Sequence, residues 1–282
     1  MFCIYMAHGY AVDVIPRLNQ KVRLNQSIEE LSARYKSAQP FPHLVIDNLF
    51  EDWLLDRLLA EIPSLSTDKF LYYDDGHLKQ YGLRSALELG ETGFQLVAFL
   101  HSAAFLYFLS EITGIRELLP DPYLQGGGYH VIPQGGKFDV HADRNTAYET
   151  GLTRRLSLIT YLNKSWKHEY GGQFELWNRD GSRREAIVEP LFNRTIIFEI
   201  ADQNFHGVPS PVACPKGGGR SSFVVYYHTA QSHDVVSHSS VFPASSRKST
   251  ALVPNKETLV KIARNIFPPI VTRAAKKMLG RK

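Results

Sequence analysis

The stretch Arg155-Leu156-Ser157-Leu158-Ile159-Thr160-Tyr161-Leu162 decides the fold, because it is the clearest of several short β-type runs in the middle of the chain. Side chains alternate between the two faces of a strand, so runs with a period of two residues predict half-buried β-strands. Turn signals such as Gln134-Gly135-Gly136 and Arg179-Asp180-Gly181 separate these runs. The predicted strands are Gly127–Ile132, Lys137–His141, Arg155–Leu162, Gln173–Trp177, Ala186–Glu189, Thr195–Ile200, Phe205–Val208 and Arg220–His228. Eight short strands at this spacing predict a double-stranded β-helix, or jelly roll.

Helical patterns precede this β region. Ser27-Ile28-Glu29-Glu30 has the form of a capping box, and a second helix is predicted from Trp53 to Ile62. The most apolar helix is predicted from about Thr92 to Thr113, with Gly114 as its C-terminal stop. Because so apolar a helix has to be buried, we expect a mainly β fold with flanking α-helices, in which the jelly roll packs against the N-terminal helices.

Between these elements, the segment from Ser64 to Gly90 is polar and rich in tyrosine, with little periodicity. A loop this long is unusual in a compact domain unless it has a function such as that of a lid. The alternative is a surface loop without a specific function, and the sequence is compatible with both.

The chain becomes helical again from Leu252 to Lys282, with two apolar stripes separated by Pro268-Pro269. The opposite faces are basic and carry Lys256, Lys261, Arg264, Arg273, Lys276, Lys277, Arg281 and Lys282. Such helices either dock on their own domain with a solvated charged face or lie on an anionic membrane surface. Both interpretations stay open.

Composition excludes several classes of protein. The 282 residues carry a net charge of only +4, with 44% hydrophobic and 21% charged residues, which is typical of a globular protein and does not indicate nucleic acid binding. The two cysteines, Cys3 and Cys214, form no metal-binding CxxC pattern and fit a reducing cytosol. No apolar run reaches about 18 residues, and residues 1–7 lack the basic start of a signal peptide. We therefore expect a cytoplasmic protein, with a membrane-peripheral location as the alternative.

Three side chains in the β region are candidate metal ligands. His141 and Asp143 follow one predicted strand, and His206 follows the predicted strand that ends at Ile200. An H-x-D pair alone is weak, because the chain contains eleven histidines. In a jelly roll, however, these strand ends can meet at the mouth of the barrel. Two imidazoles and one carboxylate on one face of a metal form the facial triad of non-haem Fe(II) oxygenases.

Arg220 and Ser222 are candidates for binding an anion. They begin the strand that follows His206 and share one face of it, since side chains alternate along a strand. A guanidinium beside a hydroxyl suits a carboxylate, and a buried arginine requires an anion. The alternative is a surface arginine at the start of an edge strand.

The stretch from Arg154 to Trp166, followed by Gly171-Gly172, closely resembles prolyl hydroxylases, notably the hypoxia-type enzymes, of the 2-oxoglutarate/Fe(II)-dependent dioxygenase superfamily. Their ordered pattern H-x-D, YLN-x-x-W, GG, H-x-V and R is met between about Tyr129 and Tyr227. Residues Pro40–Leu49 show a looser likeness to the start of many members. The His206–Arg220 interval is longer than in the hypoxia enzymes.

The resemblance implies roles for individual residues. His141, Asp143 and His206 would hold Fe(II), while Arg220 and Tyr161 would bind the far carboxylate of 2-oxoglutarate, with Ser222 and Tyr129 nearby. The implied reaction is hydroxylation of an unactivated C–H bond with O2, releasing succinate and CO2, with ascorbate as the reductant in vitro. The resemblance thus predicts a hydroxylase.

For the substrate, Arg144, Asn145, Tyr148 and Trp177 are candidates because they follow Asp143 or lie on a neighbouring strand. A protein residue, a small molecule or a glycolipid remain as substrates, and the oligomeric state stays open. The alternatives are a non-catalytic jelly-roll module that binds a sugar or peptide, and a membrane anchor centred on the C-terminal helices. The predicted organisation is a supporting N-terminal region (residues 1–125), a jelly-roll catalytic core (126–230), and a linker with basic amphipathic helices (231–282).

Overall fold

Helices and antiparallel strands alternate along the part of the chain that the computed structural model describes, which is residues 27–62, 68–231 and 236–243. The helices are α1 (Ile28–Ser37), α2 (Asp52–Glu61), α3 (Gly90–Leu100) and α4 (Ala103–Thr113), with one 3-10 turn at His168–Tyr170. The strands are β1 (His43–Asp47), β2 (Leu71–Asp74), β3 (Lys79–Leu83), β4 (Leu119–Pro120), β5 (Gly128–Pro133), β6 (Phe138–His141), β7 (Thr153–Tyr161), β8 (Phe174–Trp177), β9 (Arg184–Val188), β10 (Arg194–Glu199), β11 (His206–Val208) and β12 (Gly219–Thr229). All eight strands predicted between Gly127 and His228 are present, and their ends differ from the prediction by at most two residues.

Two antiparallel sheets face each other. The larger has the strand order β1-β10-β7-β12-β5-β3-β2, with β4 paired to β12, and the smaller has the order β6-β11-β8-β9. Tyr161 and Phe198 of the larger sheet share one apolar core with Phe174 and Leu176 of the smaller sheet. This arrangement confirms the predicted jelly roll.

The helices cover the other face of the larger sheet. Leu54 of α2 and Phe105 of α4 belong to a second core with Leu158 and Val225, which alternate with the inward-facing residues of β7 and β12. The middle of the larger sheet is therefore buried on both faces, as in β10, where Thr195 to Phe198 are all buried. The predicted support by N-terminal helices is therefore confirmed.

The prediction of a single helix from Thr92 to Thr113 is wrong. The structure has two helices, α3 and α4, whose axes differ by 52°. Ser102 causes the break, because its side chain accepts a hydrogen bond from the backbone N–H of Phe105 and so caps a new helix. Gly114 ends α4 in the left-handed conformation, as its position suggested.

The described part of the polar segment 64–90 contains a β-hairpin, β2–β3, which extends the larger sheet. Its turn also touches the smaller sheet, since the Asp139 N–H donates to the His77 carbonyl and the Lys79 N–H donates to the Lys137 carbonyl. The hairpin therefore joins the two sheets beside β6. Its role as a lid stays a prediction.

Among the described residues, none of the helices is by itself both long and apolar enough to cross a membrane; α3 and α4 reach that length and composition only as a bent pair. The predicted C-terminal helices, from Leu252 onward, lie outside the described residues. The domain boundaries after residues 125 and 230 stay predictions.

Candidate functional site

Two paired strands of the smaller sheet bring the predicted metal ligands together. β6 ends at His141, β11 begins at His206, and the register makes these two residues direct partners. Asp143 lies two residues beyond the end of β6, and all three side chains are buried. The structure thus unites in one cluster three residues that are distant in sequence.

The carboxylate of Asp143 lies between the two imidazole rings. Its Oδ1 is 3.5 Å from His141 Nε2, and its Oδ2 is 3.7 Å from His206 Nε2. One ligand atom from each residue lies within 4.8 Å of the others. Ligands at right angles around a cation, with bonds of about 2.1 Å, are about 3 Å apart, so a small inward movement would complete the coordination. His141 Nε2 is buried and has no hydrogen-bond partner, which fits a metal ligand.

Backbone carbonyls fix the orientation of both rings. His141 Nδ1 lies 2.7 Å from the Asp139 carbonyl, and His206 Nδ1 lies 2.9 Å from the Asn204 carbonyl. A carbonyl can only accept, so we assign the proton to Nδ1 in both rings, which leaves Nε2 of each with a free lone pair. This is the common outer-shell arrangement of metal-binding histidines.

The charge state of the cluster also suits a metal. Burial alone would raise the pKa of Asp143, but the adjacent imidazoles of His141 and His206 and the charge of Arg154 hold it well below its usual range. Burial lowers the pKa of His206 to about 4. At neutral pH the cluster therefore offers a charged carboxylate and a neutral imidazole, which are the forms that bind cations.

A second polar cluster surrounds Arg220. Its guanidinium is buried and donates from Nε to the Gly172 carbonyl at 2.7 Å, with its central carbon 4.8 Å from the centre of the Tyr161 ring. Arg220 Nη2 and the Tyr161 hydroxyl are both buried without a hydrogen-bond partner. Burial raises the pKa of Tyr161 to about 12, so its hydroxyl stays protonated and can donate. A carboxylate would satisfy both groups, so these residues fit the far end of 2-oxoglutarate.

The Gly171-Gly172 pair is explained by this cluster. Gly172 has a φ of +71°, and a Cβ there would lie 3.1 Å from Arg220 Cδ and 3.4 Å from Trp166. Glycine thus allows the backbone carbonyl of residue 172 to approach the guanidinium closely. The longer segment between His206 and Arg220 does not expose Arg220, whose relative exposure is only 4%.

The other two residues assigned to the cosubstrate are placed differently. Ser222 is buried opposite Tyr161 on the neighbouring strand, beside Arg220 as expected. The structure does not bring Tyr129 to this cluster: its hydroxyl donates to Ser221 Oγ at 3.0 Å, and its ring contacts Phe70 in the helix-facing core. Ser221 and Ser222 point to opposite faces, so Tyr129 lies on the wrong face of β5 to reach a ligand of Arg220.

The proposed substrate residues are scattered. The Arg144 guanidinium lies over the ring of the exposed Tyr148, with its central carbon 3.4 Å from the ring centre. The Asn145 amide bonds to the backbone of residues 236 and 238. Trp177 packs behind the metal ligands with Val140 and Ala142, on the outer face of the smaller sheet. Their roles toward a substrate stay predictions.

Two residues without a role predicted from the sequence, Arg154 and Tyr226, also belong to the surroundings of Asp143. Burial and the neighbouring Asp143 carboxylate raise the pKa of Tyr226, and the Arg154 guanidinium carbon lies 4.2 Å from the Tyr226 ring centre. Arg154 is buried, donates to the Gln125 carbonyl, and has an Nε without a partner among the described residues. The sequence does contain a signal for Arg154. Arg154 and Arg155 are consecutive residues at the start of an alternating strand, so their side chains must face opposite sides of the sheet.

Comparisons with known proteins agree with this site. Residues 127–228 match the profile of the 2OG-Fe(II) oxygenase superfamily. A prolyl 3,4-dihydroxylase OGFOD1 from Ostreococcus tauri is 26% identical over 213 residues, which are 69% of this chain but only 39% of that protein. The chain thus spans well under half of the length of this relative.

Solved structures share the fold. A prolyl hydroxylase from Trichoplax adhaerens, in complex with a peptide fragment of the hypoxia inducible factor oxygen degradation domain, has a TM-score of 0.54 and 17% identity, over 74% of this chain and 90% of that one. The non-heme alpha ketoglutarate dependent epimerase SnoN from nogalamycin biosynthesis has a TM-score of 0.51 and 12% identity, over 72% and 83%. The profile match over residues 127–228, the fold and the His-Asp-His cluster together support a 2OG-Fe(II) oxygenase that is similar to prolyl hydroxylases.

Proposed function

We propose that this protein is an Fe(II)- and 2-oxoglutarate-dependent dioxygenase that hydroxylates an unactivated C–H bond of a protein residue. One O2 and one 2-oxoglutarate are consumed for each hydroxyl group formed, and succinate and CO2 are released. The observation that carries the proposal is a pair of buried polar clusters with unsatisfied atoms. One cluster contains His141 Nε2, and the other contains Arg220 Nη2 and the Tyr161 hydroxyl.

The two clusters suit the two ends of one cosubstrate. His141, Asp143 and His206 would hold Fe(II), which supplies the oxidising chemistry when bound and keeps three coordination positions for other ligands. Arg220 and Tyr161 would fix the far carboxylate with charge-assisted hydrogen bonds.

The surroundings exclude water from this chemistry. Phe174 and Phe198 pack against the ring of His206, with ring centres 5.3 and 4.7 Å away, and belong to the core between the two sheets. The Tyr226 ring, over which Arg154 lies, also neighbours Asp143. A dry, preorganised site favours reaction of the bound substrate over loss of oxidant to solvent.

A protein substrate is supported by two comparisons. The Ostreococcus relative carries the name of a prolyl dihydroxylase, and the Trichoplax structure contains a peptide. In this chain, the charge of the buried Arg154 acts on Asp143, and its Nε has no described partner. Prolyl residues are therefore the first substrates to test, ahead of small molecules and glycolipids.

The test has two stages. The protein is first incubated with Fe(II), ascorbate, O2 and 2-oxoglutarate, and succinate is measured in wild type, His141→Ala and the control His168→Ala, whose ring is 78% exposed. Proline-containing peptides are then added, and products are analysed by mass spectrometry under labelled O2. We expect succinate from wild type and the control only, and a peptide product that gains one labelled oxygen atom.

Other outcomes separate the alternatives. A non-catalytic sugar- or peptide-binding module would bind neither Fe(II) nor 2-oxoglutarate. An epimerase, as in the structurally similar SnoN, would consume cosubstrate but give a product of unchanged mass. Either result would contradict the proposed hydroxylation.

A further inference from the structure

Residues 236–243, which we call the strap, follow the last core strand β12 and return to the smaller sheet. Val241 pairs with Ala142 as an antiparallel bridge, and each donates its N–H to the carbonyl of the other, at 3.0 and 2.8 Å. Ala142 is the residue between His141 and Asp143. The strap therefore holds the peptide that connects two of the three metal ligands.

The pairing matters because β6 is an edge strand. In the smaller sheet β6 pairs with β11 alone, which leaves its other side open. The turn of the β2–β3 hairpin bonds to this side at residues 137–139, and the strap bonds to it at residue 142. These two contacts together cover the edge on which His141 lies.

The strap also joins the two loops that carry the ligands. The Asn145 side chain, two residues after Asp143, donates to the Val236 carbonyl at 2.9 Å and accepts from the His238 N–H at 3.0 Å. The His238 ring lies 2.8 Å from the carboxylate of Asp202, in the turn that leads to His206. One short segment is thus bonded to both sides of the metal site.

Apolar contacts anchor the strap at its far end. Val241 packs with Val140, Phe205 and Trp177 behind the ligands. The ring of Phe242 stacks on the ring of His77 with centres 4.3 Å apart, and its centre is 6.1 Å from that of His141. The strap is therefore closed against both the smaller sheet and the hairpin turn.

We propose that the strap is a positioning element for the metal centre, which keeps the ligand atoms of His141, Asp143 and His206 close enough to bind one cation. The strap itself supplies no ligand atom among its described contacts. It acts by fixing the backbone between two ligands and by tying together the two ligand loops, as outer-shell partners do in other metal sites. The inference rests on the metal site of the proposed function.

The decisive experiment compares Val241→Pro with Val241→Ala in the full chain. Proline removes the N–H that bonds to Ala142, whereas alanine keeps this bond and only trims the side chain. Dissociation constants for Fe(II) and Co(II) are measured without oxygen, with the visible spectrum of the Co(II) form as a second readout. We expect Val241→Pro to weaken metal binding by about 10- to 100-fold and to change the spectrum. Val241→Ala, which keeps the backbone bond to Ala142, should change affinity much less than Val241→Pro.

A second pair of variants covers the case in which Val241→Pro does not fold. His238→Ala removes the bond to Asp202, and Val236→Ala changes an 82% exposed side chain of the same strap as the control. We expect weaker metal binding for His238→Ala only, with the melting temperature of the metal-free protein little changed. Equal metal affinity in wild type, Val241→Pro and His238→Ala would overturn the proposal. A wild type that binds no metal would overturn the proposed function as well.

Discussion

His141 and His206 are direct partners across the antiparallel strands β6 and β11, with their ring centres 4.6 Å apart. Backbone pairing, rather than a local motif, therefore sets the distance between two of the proposed metal ligands. A shift of either strand by one residue would turn one imidazole to the opposite face of the sheet. The metal centre thus depends on the register of the smaller sheet.

Replacing His206 by alanine removes one of the three ligands. Since loss of outer-shell partners alone costs about 10- to 100-fold in metal affinity, we expect His206→Ala to weaken Fe(II) binding by more than about 100-fold. Metal content and anaerobic titration check this, with His168→Ala as the control. Unchanged metal binding in His206→Ala would contradict the assigned ligand set.

Arg220→Ala should separate cosubstrate binding from metal binding. Hydrogen bonds to charged groups contribute about 1.5–3 kcal/mol each, so we expect the dissociation constant of 2-oxoglutarate to rise about 10- to 100-fold or more. A ligand present at about 100 times its dissociation constant stabilises the folded state by about 2.7 kcal/mol, and the predicted loss of affinity should reduce this gain to about 0.4–1.4 kcal/mol.

Thermal unfolding with metal, with and without 2-oxoglutarate, measures this effect. Arg183→Ala, at a side chain that is 73% exposed, is the control. The shift caused by metal alone should remain in both variants. If 2-oxoglutarate stabilises Arg220→Ala as much as wild type, the assigned carboxylate partner is incorrect.

The sequence was sufficient for the elements whose position follows from alternation. His141 lies at a strand end, and Arg220 and Ser222 share one face, so the jelly-roll pattern determines where they point. The same alternation also places Trp177 on the outer face, because Phe174 and Leu176 face the core. The face of Trp177 thus follows from the sequence, whereas its role toward a substrate stays a prediction.

Other features required the tertiary structure. A serine within an apolar helical pattern is compatible with one long helix or with a new N-cap, and only packing shows that Ser102 begins α4. The face of Tyr129 depends on the register between β5 and β12, which no local pattern sets. The strap has no periodicity, because its place is defined by pairing with a distant edge strand.

Arg154→Ala should impair use of the substrate more than use of the cosubstrate. The Nε of Arg154 is buried without a described partner, and the charge of its guanidinium lowers the pKa of Asp143. We expect peptide hydroxylation to fall by about 10-fold or more, while succinate formation without peptide is retained. Arg155→Ala is the matched control, because that neighbouring side chain is partly exposed and pairs with Glu199.

Low pH should destabilise the metal-free protein through buried histidines. Burial lowers the pKa of both His130 and His228 to about 4, from an ordinary value of 6.5. Between these values the unfolded chain binds protons that the folded protein does not, so protonation favours unfolding. Above about pH 6.5 these histidines should not affect the free energy of unfolding. As the pH decreases toward 4, each should lower the free energy of unfolding by up to about 1.4 kcal/mol per pH unit.

Urea unfolding between pH 4.5 and 8 measures this dependence. His228→Phe removes a ring whose two nitrogens are both buried without partners, so the variant should lose less stability than wild type on acidification. An identical pH dependence in the two proteins would contradict a neutral, buried His228.

Asn193 ties the N-terminal region to the jelly roll. Its side-chain amide donates to the Phe50 carbonyl at 2.7 Å, and its oxygen accepts from the Phe50 N–H at 3.1 Å. Asn193 is fully buried and has a φ of +58°, a left-handed conformation that asparagine tolerates better than alanine does. Its backbone N–H donates to the carbonyl of Tyr161, so the same residue supports the strand of the cosubstrate cluster.

We expect Asn193→Ala to lower the free energy of unfolding by about 3–5 kcal/mol, because buried partners are left unsatisfied and the backbone is strained. Asn193→Gly loses the same side-chain hydrogen bonds, but glycine adopts the left-handed backbone conformation without strain. It should therefore be more stable than Asn193→Ala by about 1 kcal/mol. Urea denaturation of the three proteins at pH 8 measures both differences. Equal stability of the glycine and alanine variants would refute the backbone contribution, and near-wild-type stability of both would refute the anchoring role.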